Sequence, residues 1–290
     1  MRRLLTQIST IILTNLNIKG FFNGRIYQGA SKNICVPGLN CYSCPGALGA
    51  CPIGSLQAVI GSMKYNVSLY IMGFFTLFGV LLGRFICGWL CPFGLVQDLI
   101  HKIKTKKVRI PTKIDKRLRY LKYVVLTVMV VLLPMLLTNQ FGMAPPYFCQ
   151  FICPSGTLFG GIPLMIANPT LRQAIGLLFG WKMGLLIFFL VSAVFIYRPF
   201  CKYICPLGAI YALFNKVSLY RFEISKEACV NCHKCEQVCK MQVPVTENPN
   251  HSECIRCGEC KKACPTNAIK YAGLKCRDHQ TTSDFPSAFK

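Results

Sequence analysis

The sequence predicts a mainly α-helical chain in two parts. Residues 1–222 form a polytopic helical membrane domain of about four spans, residues 223–272 a small α+β domain, and residues 273–290 a polar tail. Three observations carry this division. Apolar residues make up 53% of the 290 and charged residues only 15%, a balance too apolar for an ordinary soluble protein. The long apolar segments all lie before residue 200. Eight of the ten acidic residues fall in 223–290, where ten Lys and Arg nearly balance them, so the formal charge of +23 belongs almost wholly to the apolar part.

The apolar segments are Leu4–Phe22, Val67–Ile86, Tyr123–Thr138 and Met183–Tyr197. A bilayer core takes about 20 residues of helix; the last two segments are shorter, as helices can be where their ends are buried in protein. Thr157–Gly180, rich in Gly and broken by Pro163 and Pro169, reads as paired half-helices or an interfacial segment rather than a span. His101–Lys122 carries ten Lys and Arg against the single acid Asp115, which places it on the cytoplasmic side. Counting spans from there puts the N-terminus inside, Asn23–Asn66 outside, Cys87–Lys122 inside, Asn139–Lys182 outside and everything after Tyr197 inside. Only five Lys and Arg fall in the two outer segments, so the scheme is self-consistent. Basic residues flanking apolar spans argue for a cell-membrane protein in contact with the lipid bilayer, and against nucleic-acid binding. Met1, Arg2 and Arg3 precede an apolar run with no small-residue cleavage site, so the 19 cysteines point to metal rather than to secretory disulfides.

The most specific pattern is CVNCHKCEQVC, Cys229–Cys239, followed by CIRCGECKKACP, Cys254–Pro265. Each is C-x-x-C-x-x-C-x-x-x-C, the spacing of a bacterial two-cluster ferredoxin. Three closely spaced thiolates wrap three corners of a cubane and the fourth corner comes from the other motif. Cys229, Cys232, Cys235 and Cys264 are therefore expected to bind one [4Fe-4S] cluster, and Cys254, Cys257, Cys260 and Cys239 the other. Lys240 stands where the second motif has Pro265. A zinc site is the alternative for isolated C-x-x-C pairs, but eight cysteines in this order favour iron–sulfur. CVNCH, Cys229–His233, also matches a c-type haem attachment pattern, yet both of its cysteines are already required by the ferredoxin reading.

Three C-x-x-x-C-P pairs lie upstream: Cys87/Cys91, Cys149/Cys153 and Cys201/Cys205. A spacing of four puts both thiols on one face of a helical turn, so each pair supplies two ligands to one site. The Pro suits the first turn of a following helix, as in Phe93–Lys104 and Leu207–Lys216, whose positive ends then face an anionic cluster. Cys87/Cys91 and Cys201/Cys205 both follow spans running inward and meet as an inner four-thiolate site. Cys149/Cys153 follows a span running outward. The cysteines on that side are Cys35, Cys41, Cys44 and Cys51, in CVPGLNCYSCPGALGACP. The expectation is an outer cluster held by four of Cys41, Cys44, Cys51, Cys149 and Cys153, with Cys41, Cys44 and Cys51 as the larger half and Cys35 spare. A disulfide-stapled outer loop is the alternative. Up to four [4Fe-4S] clusters result, and Cys276, in the tail, has no assigned role.

GRFICGWLCPFG and YRPFCKYICPLGAIY, followed by the double motif, resemble the membrane polyferredoxins of the NapH and NosR group over residues 66–270. The resemblance implies electron transfer between a quinol pool or a cytoplasmic donor and a partner on the outer face, in some members through a flavoprotein. The third pair and the leader Cys35–Cys51 depart from the two-pair pattern, which favours a through-membrane wire over quinol dehydrogenation. The chain then reads as an electron-transfer subunit of an oxidoreductase with no catalytic residues of its own. Its partners would be a cytoplasmic ferredoxin-like donor and an extracytoplasmic redox acceptor such as a flavoprotein. The alternatives are a quinol dehydrogenase or metal reductase subunit, or a redox-sensing maturation protein. In the quinol reading Arg84, Trp89 and Arg198 would face a headgroup; they read more simply as interface anchors. His101, His233, His251 and His279 are all placed on the cytoplasmic side, so no intramembrane bis-His haem can be built.

Overall fold

The computed structural model describes residues 2–62, 68–139, 143–173 and 175–272. The expected polar tail, with Cys276 and His279, lies outside the described residues, as does the first residue of the expected span Val67–Ile86. Two helices are long and apolar enough to cross a membrane, Thr112–Leu136 and Leu177–Phe195. Both leave apolar side chains unpacked. Val124, Val128, Leu132 and Leu136 form an exposed i, i+4 stripe on the first, and Trp181, Ile187, Phe188 and Val191 stay exposed on the second. A core helix of a soluble protein would bury such a stripe; here it is left for an apolar surrounding. The helices in the other two expected spans, Arg2–Thr14 and Tyr70–Leu82, have 13 residues each, or about 20 Å at 1.5 Å per residue. That falls short of a bilayer core of about 30 Å.

The basic segment His101–Lys122 is only half loop. Thr112–Lys122 is the first part of the 25-residue helix, because Asp115, Arg119 and Lys122 are buried rather than solvated. Asp115 pairs with Arg119 and with Lys202 at 2.6 Å, and accepts a hydrogen bond from Tyr203 Oη at 2.5 Å. Within the expected half-helical segment, Pro154–Ala167 is helical through Pro163, and the helix Leu177–Phe195 begins six residues before the expected Met183.

Four short helices open identically. Pro52–Gly61, Pro92–Ile100, the helix starting at Pro154 and Pro206–Phe214 each carry Cys at the N-cap and Pro at the first position. Pro fits there because its missing N–H would be unpaired anyway and its fixed φ suits the turn. Gly stands two residues after each Pro, at Gly54, Gly94, Gly156 and Gly208. At Gly94 and Gly208 a Cβ would press on the carbonyls of Cys87 and Cys201, each at 3.1 Å.

The C-terminal domain is built on Arg221–Ile224 and Ile269–Ala272, paired antiparallel in the register Arg221↔Ala272 to Ile224↔Ile269. Its two cysteine motifs turn in the same way. The left-handed residues Asn231, His233 and Gln242 of the first answer to Arg256, Gly258 and Asn267 of the second. Each pair occupies one place relative to its cysteines: between the first two, just after the second, and three after the last. His233 therefore holds the place that Gly258 holds in the second motif, which gives it a backbone role in the turn.

The two parts meet through buried charge. Glu253, 2% exposed, takes Arg84 at 2.5 Å and Lys122, both fully buried. Burial pushes the Glu253 carboxyl up, but the two cations outweigh it and hold the group at about 2. Arg119 adds hydrogen bonds to the carbonyls of Met241 and Gln242, at 3.0 and 3.1 Å. Removing one member of a buried pair strands the others without water, at ~3–5 kcal/mol. Glu253→Ala is thus expected to destabilise the purified protein by that amount, read as a lower thermal transition, whereas Glu247→Ala, at an exposed position, leaves the transition unmoved.

Candidate iron–sulfur centres

Cysteine motifs are brought together in four sets. Cys229, Cys232, Cys235 and Cys264 line one small cavity closed by Ile224, Ile269 and Thr246. Cys254 lies in the electrostatic field of Cys257 and Cys239, Cys260 in that of Cys254, Cys257 and Cys239. The last cysteine of each motif thus lies with the first three of the other.

The inner set, Cys87, Cys91, Cys201 and Cys205, is buried throughout. Cys205 lies in the field of the other three, and Cys201 in that of Cys91 and Cys87. The two halves are related by an approximate twofold exchange. Arg84, three residues before Cys87, donates to Cys201 O at 3.2 Å, and its Nη2 sits where a Cβ on Gly208 would point. Arg198, three residues before Cys201, donates to Cys87 O at 2.5 Å and packs on Gly94 in the same way. Both side chains are 0% exposed, so they are not interface anchors. Their negative partners are Glu253 for Arg84 and Asp98, at 2.5 Å, for Arg198.

The outer set is Cys41, Cys51, Cys149 and Cys153, which line a cavity of about 740 Å³. Cys51 lies in the field of Cys153 and Cys41, and Cys153 in that of Cys149 and Cys41. Gly156 is beside the Sγ atoms of Cys41 and Cys153. Cys44 falls outside the set. It lines a separate cavity with Asn40 and Pro92 and donates to Asn15 Oδ1 at 3.7 Å. Cys35 lines the large cavity but is bonded to Ser55 Oγ at 3.4 Å. The expected trio Cys41, Cys44 and Cys51 thus becomes Cys41 and Cys51, with both members of the third pair. The missed signal was the fourth C-P-x-G at Cys51, the same cap-and-helix unit that follows each C-x-x-x-C pair.

Donors converge on these thiols as they would on anions. Backbone N–H groups of Gly54, Gly156 and Gly208 point at Cys51, Cys153 and Cys205. Gln97 Nε2 donates to Cys201 Sγ at 3.0 Å and Gln57 Nε2 to Cys149 Sγ at 3.3 Å. Each Gln is six residues after a C-P-x-G cysteine and fully buried, so inner and outer sites repeat one device. Lys32 and Lys182 accompany the outer set, hydrogen-bonded to Ala47 O and Cys149 O. Neutral thiols would require none of these buried cations and amides, whereas thiolates holding iron–sulfur clusters require them. Among the described residues no three His, Cys, Asp or Glu converge on a point that could hold a single ion. The four outer thiols instead line one cavity, and Cys229, Cys232, Cys235 and Cys264 line another.

The family described as 4Fe-4S binding domain matches residues 66–111, 123–164 and 177–226, one copy for each C-x-x-x-C-P pair, and a second family of the same description matches 248–270. An uncharacterized protein of Methanocaldococcus jannaschii is 34% identical over 202 residues, 67% of this chain and 74% of the relative. The regulatory protein NosR of Stutzerimonas stutzeri is 30% identical over 206 residues, 67% of this chain but 25% of its own length. The ferredoxin-type protein NapH of Haemophilus influenzae is 26% identical over 212 residues, 67% of this chain and 64% of NapH. No solved structure matches. The repeated cysteine units, the thiolate environments and these relatives agree that the chain belongs to the NapH/NosR-type polyferredoxins, electron-transfer proteins that bind [4Fe-4S] clusters.

Proposed function

We propose that the chain is a transmembrane electron conduit. It takes single electrons from a cytoplasmic ferredoxin-like donor and delivers them to an acceptor on the outer face. Its ligands are the four sets above: Cys229, Cys232, Cys235 and Cys264 distal; Cys254, Cys257, Cys260 and Cys239 proximal; Cys87, Cys91, Cys201 and Cys205 inner; Cys41, Cys51, Cys149 and Cys153 outer. Each bound cluster supplies a one-electron carrier, and the protein supplies spacing, charge and exclusion of water.

The observation that carries this reading is that the four sets follow one another, each joined to the next by packed residues. The exchanged cysteines tie distal to proximal. The proximal loop lies on the inner motif: Gly88 leaves no room for a Cβ beneath Ile255 O, and Trp89 Nε1 donates to Arg256 O at 3.0 Å. Arg84 joins the two directly, donating to Ser252 O and Cys201 O. Between inner and outer sets stands Tyr211, fully buried, in the field of Cys87 and Cys91 on one side and Cys51 and Cys35 on the other. Its hydroxyl donates to Pro37 O at 3.0 Å, and next to it Gly38 packs so closely that a Cβ there would lie 3.2 Å from Cys91 Cα. The loop expected to lie outside thus reaches inward to the inner motif, so that neither set must bridge the full thickness of a bilayer alone. The ten cations of His101–Lys122 support a cytoplasmic position for the ferredoxin-like domain.

Purified protein is expected to contain about sixteen irons per chain, all reducible by reduced ferredoxin. Faster reduction by a quinol analogue than by ferredoxin would overturn the assigned donor. Cys41→Ala is expected to lose one cluster, about four irons, with its EPR signal; Cys44→Ala keeps all four clusters. An N–H donor to a thiolate favours the more negative, reduced state. Gln97→Leu should therefore lower one midpoint potential by tens of millivolts, where ~59 mV is tenfold for one electron, with iron content unchanged in a redox titration.

A further inference from the structure

We infer that electrons are received at the proximal cluster, from an acidic one-electron carrier protein docked in the basic groove beside Cys257, and not at the distal cluster. The inference rests on the conduit reading above and deepens it. The groove has a volume of about 920 Å³ and lies where the start of the first helix, the end of Pro92–Ile100 and the second cysteine motif meet, with Cys257 in its wall. Its lining includes five cations, Arg3, Lys102, Lys240, Lys261 and Lys262, against two carboxylates. Both carboxylates are already engaged: Asp98 by Arg3 and Arg198, Glu259 by Lys262 at 2.9 Å. Lys102, Lys240 and Lys262 are exposed, Lys262 beside Glu259 and Lys240 over the Tyr197 ring, so a partner's acids can reach all three.

The distal site has the opposite character. Its cavity is lined by no Lys, Arg, Asp or Glu, and its one histidine, His233, sits beside Glu236 at 3.3 Å. The chain around its motif carries Glu227, Glu236 and Glu247 against Lys226 and Lys234. An acidic carrier is drawn to the groove and not to the distal face, because a cleft lined by one sign of charge focuses its field on the incoming partner. Aromatic rings carry the groove from its mouth to the thiol. Lys261 Nζ lies 4.4 Å over the Tyr271 ring, Tyr271 stacks on Tyr220, and Phe85 stacks on Trp89, which holds the Arg256 carbonyl next to Cys257. Residues 273–290, which follow Tyr271, hold three Lys and Arg and two Asp, so their charge does not complement the groove. The transfer is balanced: the carrier's reduced centre loses one electron, the proximal cluster gains it, and no bond or proton moves.

The test uses the full chain with its clusters, in nanodiscs of neutral lipid, and a small acidic [4Fe-4S] ferredoxin as probe. Calorimetric titration of oxidised ferredoxin is expected to give an affinity that falls with salt. In the variant Lys102→Glu/Lys240→Glu/Lys262→Glu it should weaken by at least tenfold. In stopped flow the second-order rate of reduction by reduced ferredoxin should drop by about 10–10³-fold in that variant, while reduction by dithionite is unchanged, which shows that the clusters remain intact. The control Lys226→Glu/Lys234→Glu, on the distal face, should leave both readouts unaltered. Equal loss in the control, or none in the groove variant, would overturn the inference while leaving the conduit standing. A recovery of the groove signal as binding to anionic-lipid vesicles alone would also overturn it, by marking the groove as a lipid site. Failure of reduced ferredoxin to reduce the wild-type protein would sink the conduit reading itself.

Discussion

The structure depends on how anionic sulfur is held in a dry interior. A buried charge without partners costs several kcal/mol, and this chain buries the four inner cysteines, with Cys51 and Cys153 of the outer set, almost completely. Everything near them answers that cost. Arg84 and Arg198 lie across the twofold from their own cysteines and reach the carbonyls of the opposite pair. Gln57 and Gln97 turn amides onto thiolate sulfur, and helix N-termini aim Gly N–H groups at the caps. Those cations then need negative partners, and they find them in Glu253 and Asp98. Charge compensation therefore spreads outward from the sulfur until it reaches the ferredoxin-like domain, and the same ion pairs that neutralise the inner site also dock that domain.

The four C-P-x-G units share one layout: a cysteine cap, a first turn carrying the Gly, and a second turn that places Gln57, Gln97, Phe159 or Tyr211 six residues after the cysteine. After Cys205 that position is Tyr211, whose hydroxyl reaches Pro37 O rather than sulfur. Of the four places, two thus carry an amide onto sulfur, one joins the inner site to the outer loop, and one, Phe159, is apolar.

Much of this was legible in the sequence and some was not, for identifiable reasons. The ferredoxin exchange between Cys239 and Cys264 follows from motif spacing alone, because its ligands are local. The meeting of Cys87/Cys91 with Cys201/Cys205 joins two identical C-x-x-x-C-P units, each offering two thiols from one helical turn. Arg84 and Arg198 were visible but misread: charge next to an apolar segment usually marks the lipid interface, and nothing local shows that a carboxylate far away in sequence, Glu253 or Asp98, neutralises it. The helical character of Thr112–Lys122 was hidden for the same reason. Its buried face is ionic, so apolar periodicity does not report it. Cys44 was placed by proximity to Cys41, but a C-x-x-C pair in a loop can splay, and here only one of the two thiols turns into the cavity.

The outer site shows why its fourth thiol comes from a loop. A symmetric site would place a cysteine four residues before Cys51, where Ala47 stands; instead Cys41 supplies the thiol from ten residues back. The intervening chain holds Cys44, whose sulfur lies in a cavity bounded by Pro92 of the inner unit, and follows Gly38, which leans on Cys91. A helical C-x-x-x-C turn would have kept both ligands on the outer side of the molecule. Replacing that turn by a loop lets the chain run inward, touch the inner motif, and return with a ligand. The departure from symmetry is what brings the two buried sites within one tyrosine of each other.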